Sequence, residues 1–464
     1  MLKKQAAAWV EDNANILTDI ARQIWENPEE VMKETFACKL QKDYLKKQGF
    51  EIRVNEKVPT AFIASYGEGK PVIGLLGEYD ALKNLSQDVC VQRKPLKEGA
   101  PGHGCGHNLL GTGCLGAAAA VKELIEKGEL KGTIRYYGCP AEEVLYGKTL
   151  MAKEGMFDDL DASLAWHPSP MTMPWAGSLL SLYSAIFTFS GKSAHAGAAP
   201  HMGRSALDAV ELMNTGANYM REHIEEQNRV HYIITNGGVE PNTVPAEASV
   251  WYNVRAPKKE TAKETFKWLT QIAEGAAMMT QTTLADVKVI AGCYEVLPNQ
   301  TLVNLLHDNM KELGGPKFTD EDRAFAKEMS SSFDRAQKER ALTGNFMPGK
   351  FIDNYLHEGV EPSHDFGKSL KASTDLGDVS WIAPTAMFGV ATYPIGVVAH
   401  TWQAVASAGS GVGYSAMHYA AKVLATSLVD LYANPDILSK AKAEFKLSTN
   451  GHKYIPVFDE IVKI

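Results

Sequence analysis

Three apolar runs in the first 170 residues each stop on side chains that can titrate or ligate. Pro71-Val72-Ile73-Gly74-Leu75-Leu76-Gly77 is followed by Glu78-Tyr79-Asp80. Thr133-Ile134-Arg135-Tyr136-Tyr137-Gly138 leads into Cys139-Pro140-Ala141-Glu142-Glu143, and Ala162-Ser163-Leu164-Ala165-Trp166 ends in His167-Pro168. The first run has no polar alternation at all, the mark of a strand buried on both faces of a parallel sheet. Helical patterns over about 108–127 and 147–154 separate the runs, which gives the βαβ order of an α/β fold. Open α/β sheets place their sites at the carboxyl ends of the strands, where these acids and this imidazole stand.

Between the first two runs lies Pro101-Gly102-His103-Gly104-Cys105-Gly106-His107-Asn108. A thiol and an imidazole two residues apart in a glycine-rich turn can place two ligand atoms on one ion, because glycine lets the backbone bend tightly. With Glu143, His167 and His400, each on or just after an expected strand end or turn, five candidate ligands emerge: Cys105, His107, Glu143, His167 and His400. Thiolate, imidazole and one carboxylate suit Zn²⁺ or Mn²⁺ better than Ca²⁺ or Mg²⁺, which prefer oxygen. Singly, each has an ordinary reading: Cys105 a buried thiol, the histidines satisfied core residues, Glu143 a solvated charge. Their recurrence at strand ends favours a common site. Adjacent carboxylates such as Glu142 and Glu143 cannot both point the same way, so one can ligate while its neighbour handles a proton. A helix N-terminus would also favour acids there, by about 0.3–1 kcal/mol, but does not account for the company of His167 and Cys105. His103 reads as a supporting residue at most, and Cys114 as core.

The pattern changes near residue 180. A strand over 180–189, a helix over about 203–225, strands over 230–236 and 247–255, a helix over 260–280 and a strand over 283–290 give β-α-β-β-α-β, the ferredoxin-like split βαβ order. The chain therefore divides into a discontinuous catalytic domain, 1–182 and 297–464, and an inserted α+β domain, 183–296. In the insert, His195 stands in a Gly-rich loop and could donate a hydrogen bond to an oxyanion, while the Asn242 amide and the Arg255 fork would suit a substrate carboxylate. Past the insert, a helix is expected at about 300–313. Residues 315–375 read as an insertion with helical parts. Asp378–Ile382, Tyr393–His400 and a long helix over 412–433 return to the main sheet.

The net charge of -8 argues against a nucleic-acid partner. Residues 5–25 read as an amphipathic helix rather than a leader peptide, and no apolar run is long enough to span a membrane. Six scattered cysteines in a chain of 464 residues fit a reducing cytoplasm.

Taken together, Cys105-Gly106-His107, Glu142-Glu143, His167 and His400 resemble the M20 family of metal-dependent peptidases and amidohydrolases, over nearly the whole chain and closest to its amidohydrolase branch. The resemblance implies a zinc-peptidase-like catalytic domain with a mostly parallel central sheet flanked by helices, and a lid that mediates dimerisation. It implies one or two metal ions per subunit on Cys105, His107, Glu143, His167 and His400, with Glu142 as general base and acid. His195 would reach the active site of the neighbouring subunit, and Asn242 and Arg255 would contact substrate. Many relatives carry a ligating His where this chain has Glu78, which leaves Asp80 to orient a ligand imidazole. Relatives commonly have Asp where Asn108 stands, so the local negative charge is lower here. The implied substrate is a small N-acyl or N-aroyl amino acid, with a dipeptide as the alternative. The implied partner is a second copy of the chain or a homologous subunit, and a subunit that is silent without that partner is the competing reading.

Overall fold

The computed structural model describes residues 1–344 and 346–461. Its chain divides into two units, the first built from Met1–Ser178, Leu297–Leu370 and Val379–Tyr454, the second from Leu179–Val296 together with Lys371–Asp378 and the segment from Ile455 on.

The first unit is organised on a seven-stranded mixed sheet. Its strands are Glu51–Asn55 (β1), Val58–Glu68 (β2), Val72–Glu78 (β3), Gly132–Cys139 (β4), Ala162–Ser169 (β5), Met173–Trp175 (β6) and, much later in sequence, Thr385–Ala391. They lie in the order β1-β2-β4-β3-β5-(Thr385–Ala391)-β6. The four inner strands from β4 to Thr385–Ala391 are parallel, and the pairings outside them are antiparallel. All residues of β3, β4 and Thr385–Ala391 are buried, as strands covered on both faces must be.

Helix α4, His107–Glu126, which follows Leu2–Asp12 (α1), Ala14–Glu26 (α2) and Thr35–Lys47 (α3), lies against β3 and the long helix Gly411–Ala433. Its centre, Gly113-Cys114-Leu115-Gly116-Ala117-Ala118-Ala119-Ala120, is buried all round. Small residues are required there: a Cβ on Gly111 would sit 2.4 Å from the Glu78 carbonyl oxygen. That close approach seats the start of α4 on the end of β3.

Several local expectations are corrected. The N-terminal pattern forms two helices, Leu2–Asp12 and Ala14–Glu26, because the Asn13 side chain donates to the Trp9 carbonyl (2.8 Å) and ends the first. Asp378–Ile382 is not a strand; a short helix, Leu376–Ser380, occupies the region, with the Thr374 hydroxyl accepting from the Leu376 N–H (3.3 Å). Tyr393–His400 is not a strand either, since Pro394 removes a donor and Gly396 turns at φ 105°. The strand in this part of the chain is Thr385–Ala391, and residues 315–375 contain helices Asp320–Ser331 and Arg335–Thr343.

The second unit is a four-stranded antiparallel sheet in the order Thr283–Cys293, Ser181–Ser190, Glu247–Ala256, Arg229–Asn236. Helices Ala206–Met220 and Lys259–Thr280 pack together and on this sheet. The connection order is the split βαβ arrangement. Along Glu247–Ala256 burial alternates strictly, with Ala248, Val250, Tyr252, Val254 and Ala256 buried. The Ser205 side chain caps its helix by accepting from the Asp208 N–H.

Candidate metal centre

The turn before α4 works because of one glycine. Gly106 adopts φ 73°, and a Cβ there would lie 2.8 Å from Cγ of Pro168. With that space kept free, Cys105 Sγ comes within 3.4 Å of His167 Nε2. His167 Nδ1 faces the Pro168 carbonyl oxygen at 2.7 Å. A carbonyl only accepts, so Nδ1 carries a proton, and Nε2 is the atom turned toward the thiol.

Asp80 ties three segments together. One of its oxygens takes His107 Nδ1 at 2.8 Å, and the other accepts the backbone N–H of Glu143 at 2.9 Å. The end of β3, the first residue of α4 and the loop after β4 are thus held by one buried carboxylate. That loop is a single 3₁₀ turn, Glu142–Val144, flanked by Ala141 and Leu145, each at φ 57°. Left-handed backbone at two non-glycine residues is strained and needs such support. Glu143 Oε2 lies 3.2 Å from His400 Nε2, and His400, itself at φ 66°, donates its backbone N–H to the Gly104 carbonyl (2.8 Å). The histidine from the far end of the sequence is therefore docked on the Cys-Gly-His turn.

The structure brings together all five expected ligands. Cys105, His107 and His167 form one group, and Cys105, Glu143 and His400 a second, with the ligand atoms of each within 4.8 Å of one another. A third group, Glu78, His107 and Glu142, was not foreseen. Glu142 Oε2 is 3.9 Å from His107 Nε2.

Charge is concentrated here. Burial pushes the Cys105 thiol up, but the neighbouring His167 and His107 outweigh it and hold it well below its ordinary value. Burial opposes charge on His107, yet Cys105 and Asp80 raise it well above the usual imidazole range. Glu143 is pushed up to about 7 by burial and by Cys105, and hydrogen bonds to Cys105 and Glu143 raise His400 to about 10.

These residues fit a divalent metal. His107 Nε2, Glu143 Oε1 and Glu78 Oε2 are buried without a hydrogen-bond partner among the described residues. Unpaired buried lone pairs are costly, and a cation satisfies them. The soft sulfur and imidazole donors suit Zn²⁺ and its neighbours in the first transition row.

Other residues take quieter places. His103 is buried, with Nε2 3.2 Å from the Ile24 carbonyl, and burial lowers it to about 4. Asn108 donates to the Ala21 and Ala408 carbonyls (3.3 and 3.1 Å), bridging the N-terminal helices to the C-terminal part of the chain. Cys114 is a core thiol donating to the Leu76 carbonyl. Two residues escaped the sequence reading. Lys148, wholly buried, pairs with Glu78 at 2.6 Å, and Glu34 accepts from Met32 N–H, Thr60 Oγ1 and Ala141 N–H. Both lie in polar stretches where nothing distinguishes a buried charge from a solvated one.

His195, Asn242 and Arg255 belong to the second unit. His195 is exposed and paired by a bridge to Thr243, with the Ala196 N–H donating to the Asn242 carbonyl (2.9 Å). Arg255 is opposite Leu182, at the other end of the sheet from the Glu247–Ser190 pair that leads to the His195 loop.

The buried thiolate–imidazole–carboxylate set at the strand ends of a mixed α/β sheet, with a split βαβ insert, defines a class. The chain belongs to the M20 family of metal-dependent peptidases and amidohydrolases. The peptidase dimerisation domain of that family matches residues 180–278. Among individual proteins, the chain is 40% identical over 457 residues to one of the subunits of the p-aminobenzoyl-glutamate hydrolase of Escherichia coli, covering 96% of this chain and 95% of that one. It is 28% identical over 464 residues to the mouse (Mus musculus) Xaa-Arg dipeptidase, covering 96% and 92%. A solved Bacillus subtilis M20 peptidase, described as dinuclear metal binding, shares the fold with a TM-score of 0.56 at 17% identity, over 89% of this chain and 98% of that one.

Proposed function

We propose that the chain is a metal-dependent amidohydrolase that cleaves the amide of an N-acyl or N-aroyl amino acid, with p-aminobenzoyl-glutamate as its substrate. The observation that carries this reading is the clustering of Cys105, His107, Glu143, His167 and His400 with Glu142 beside them. The likeness to the E. coli hydrolase polypeptide supports the choice of substrate.

Cys105, His107, Glu143, His167 and His400 would hold one or two Zn²⁺ or Mn²⁺ ions, and the membership of Cys105 in two ligand groups supports two. When bound there, the metal supplies a Lewis acid for the amide carbonyl and lowers the pKa of the attacking water to about 7. Glu142 takes the proton from that water and returns it to the leaving nitrogen. Asp80 fixes His107 in the tautomer that ligates through Nε2. His195 Nδ1 accepts backbone N–H groups from Gly197 and Ala198 (3.2 and 3.1 Å). Its proton therefore sits on Nε2, ready to donate to the oxyanion of the tetrahedral adduct. Asn242 and Arg255 offer amide and guanidinium donors for the substrate carboxylate.

We further assign the second unit to a lid through which two subunits pair, either two copies or this chain and a homologous subunit. The edge strand Arg229–Asn236 supports this, since Ile233 and Ile234 are exposed on it (59% and 46%). Among the described residues no helix is long and apolar enough to cross a membrane, and a cytoplasmic location accords with the free cysteines.

The likeness to a dipeptidase supports a second substrate reading. Purified chain loaded with Zn²⁺ or Mn²⁺ and assayed on p-aminobenzoyl-glutamate beside a dipeptide panel separates the two, and metal analysis gives the ion count. Glu142→Ala should keep its metal and lose turnover by about 10²–10⁴-fold. His167→Ala should lose both. An active Glu142→Ala protein would sink the mechanism.

A further inference from the structure

Glu78 is the last residue of β3 and Asp80 follows two residues later, and both carboxyls reach His107. They meet opposite edges of the same ring. Asp80 holds Nδ1 of His107 at 2.8 Å, and Nε2 on the far side of the ring faces Glu78 Oε2 at 3.2 Å. Both of those atoms are buried, and neither has a hydrogen-bond partner among the described residues. With one oxygen of Glu142 they form a group whose ligand atoms all lie within 4.8 Å of one another, close enough to face a single ion. The spacing also has a chemical meaning. Two ligands bound at about 2.0–2.2 Å to one ion stand about 2.8–3.6 Å apart, the short end at right angles and the long end at the tetrahedral angle. The 3.2 Å between Glu143 Oε2 and His400 Nε2 and the 3.4 Å between Cys105 Sγ and His167 Nε2 fall in the same range.

We propose that Glu78 is itself a metal ligand in this chain, adding Oε2 to the position held by His107, while Lys148 grips Oε1. The proposal rests on the metal-dependent reading above. Lys148, wholly buried at 2.6 Å from Oε1, does two things. It fixes the carboxylate so that a single oxygen turns toward His107, and it offsets charge in a cluster that already buries Asp80, Cys105 and Glu142.

The test is metal binding by the full chain, read without activity. Metal-free wild type, Glu78→Gln and Glu78→Asp are titrated with Zn²⁺ and Mn²⁺ by calorimetry, and the Co²⁺-loaded forms are compared by absorption spectroscopy. Gln keeps the size of the side chain and removes its charge; Asp keeps the charge but withdraws the oxygen by one methylene. Each should weaken one class of site by about 10–100-fold and shift the Co²⁺ ligand-field bands, while the thiolate charge-transfer band from Cys105 persists. Unfolding of each metal-free variant is measured alongside, so that stability lost with the buried Lys148 pair is separated from affinity lost with the ligand, and the Asp variant covers the case in which the Gln variant does not fold. Wild-type affinity and an unchanged Co²⁺ spectrum in Glu78→Asp would overturn the proposal and leave Glu78 as the ion-pair partner of Lys148 and of a protonated His107. A wild-type chain that takes up no divalent metal would instead sink the parent reading.

Discussion

Glu34 shows how much of this site is held by groups that never touch the reacting atoms. It is fully buried, and its oxygens accept from Met32, Thr60 and the N–H of Ala141, the strained residue just ahead of Glu142. Burial first, and then the charge of Asp80, push its carboxyl up to about 7 from 4.5, against the hydrogen bonds that favour ionisation. The folded state holds this proton more tightly than the unfolded chain, so the contribution to stability is complete below pH 4.5 and is lost as pH rises through about 7. The loss is on the order of 3 kcal/mol. In metal-free Glu34→Gln the amide oxygen can still serve Met32 and Ala141 while the side chain stays neutral. Urea unfolding should then find the variant close to wild type near pH 4.5 and at least as stable near pH 8, with a shallower slope between. Some slope must remain, because Glu143 is also pushed up to about 7. A Gln variant whose unfolding follows wild type at every pH would refute the assignment.

At the scale of elements, the ligands were legible because they sit where a strand stops. A fully buried strand such as β3 or β4 announces itself by an unbroken apolar run, and the first polar residue after it marks the site. Glu143 and His167 were found in that way, and Cys105 and His107 as a thiol and an imidazole two residues apart in a glycine-rich turn ahead of a helix. The strand Thr385–Ala391 was not. It is flanked by two stretches of similar hydropathy, and the choice among them is made by the Thr374 side chain, Pro394 and Gly396 rather than by periodicity. Lys148 and Glu34 were invisible for a related reason, since burial of a charge is decided by partners distant in sequence. Glu78 stood in view, but its alliance with His107 depends on how closely Gly111 lets α4 approach β3. The turn itself permits a sharp test. Gly106→Ala would force a side chain into a left-handed backbone, costing about 1–2 kcal/mol. It would also drive a Cβ to 2.8 Å from the Pro168 ring, which cannot rotate away. The expected outcome is a lower unfolding midpoint for the metal-free chain and a loss of metal affinity larger than that stability change explains. Calorimetric titration beside thermal unfolding reads both, and unaltered metal binding would show that the turn is not what brings Cys105 to His167.

For the whole molecule, the decisive geometry is the length of the inserted sheet. From Glu247, opposite Ser190, to Arg255, opposite Leu182, the strand advances eight residues, or roughly 27 Å at 3.4 Å per residue. The His195–Asn242 loops lie beyond the first end and Arg255 near the second. A substrate the size of an aroyl amino acid cannot touch both ends of one such sheet. If both contribute to catalysis, they serve different active sites, which the proposed pairing of two copies would supply, with His195 serving the neighbour's site. Mixing two separately inactive proteins tests this. His195→Ala keeps Glu142 and Glu142→Ala keeps His195, so after unfolding and refolding together a mixed dimer contains one site with both groups intact. With random pairing about half the dimers are mixed and half of their sites are complete, so activity should recover to about a quarter of wild type. If His195 acts within its own subunit, no mixed dimer has a complete site, and the mixture stays as inactive as its parents.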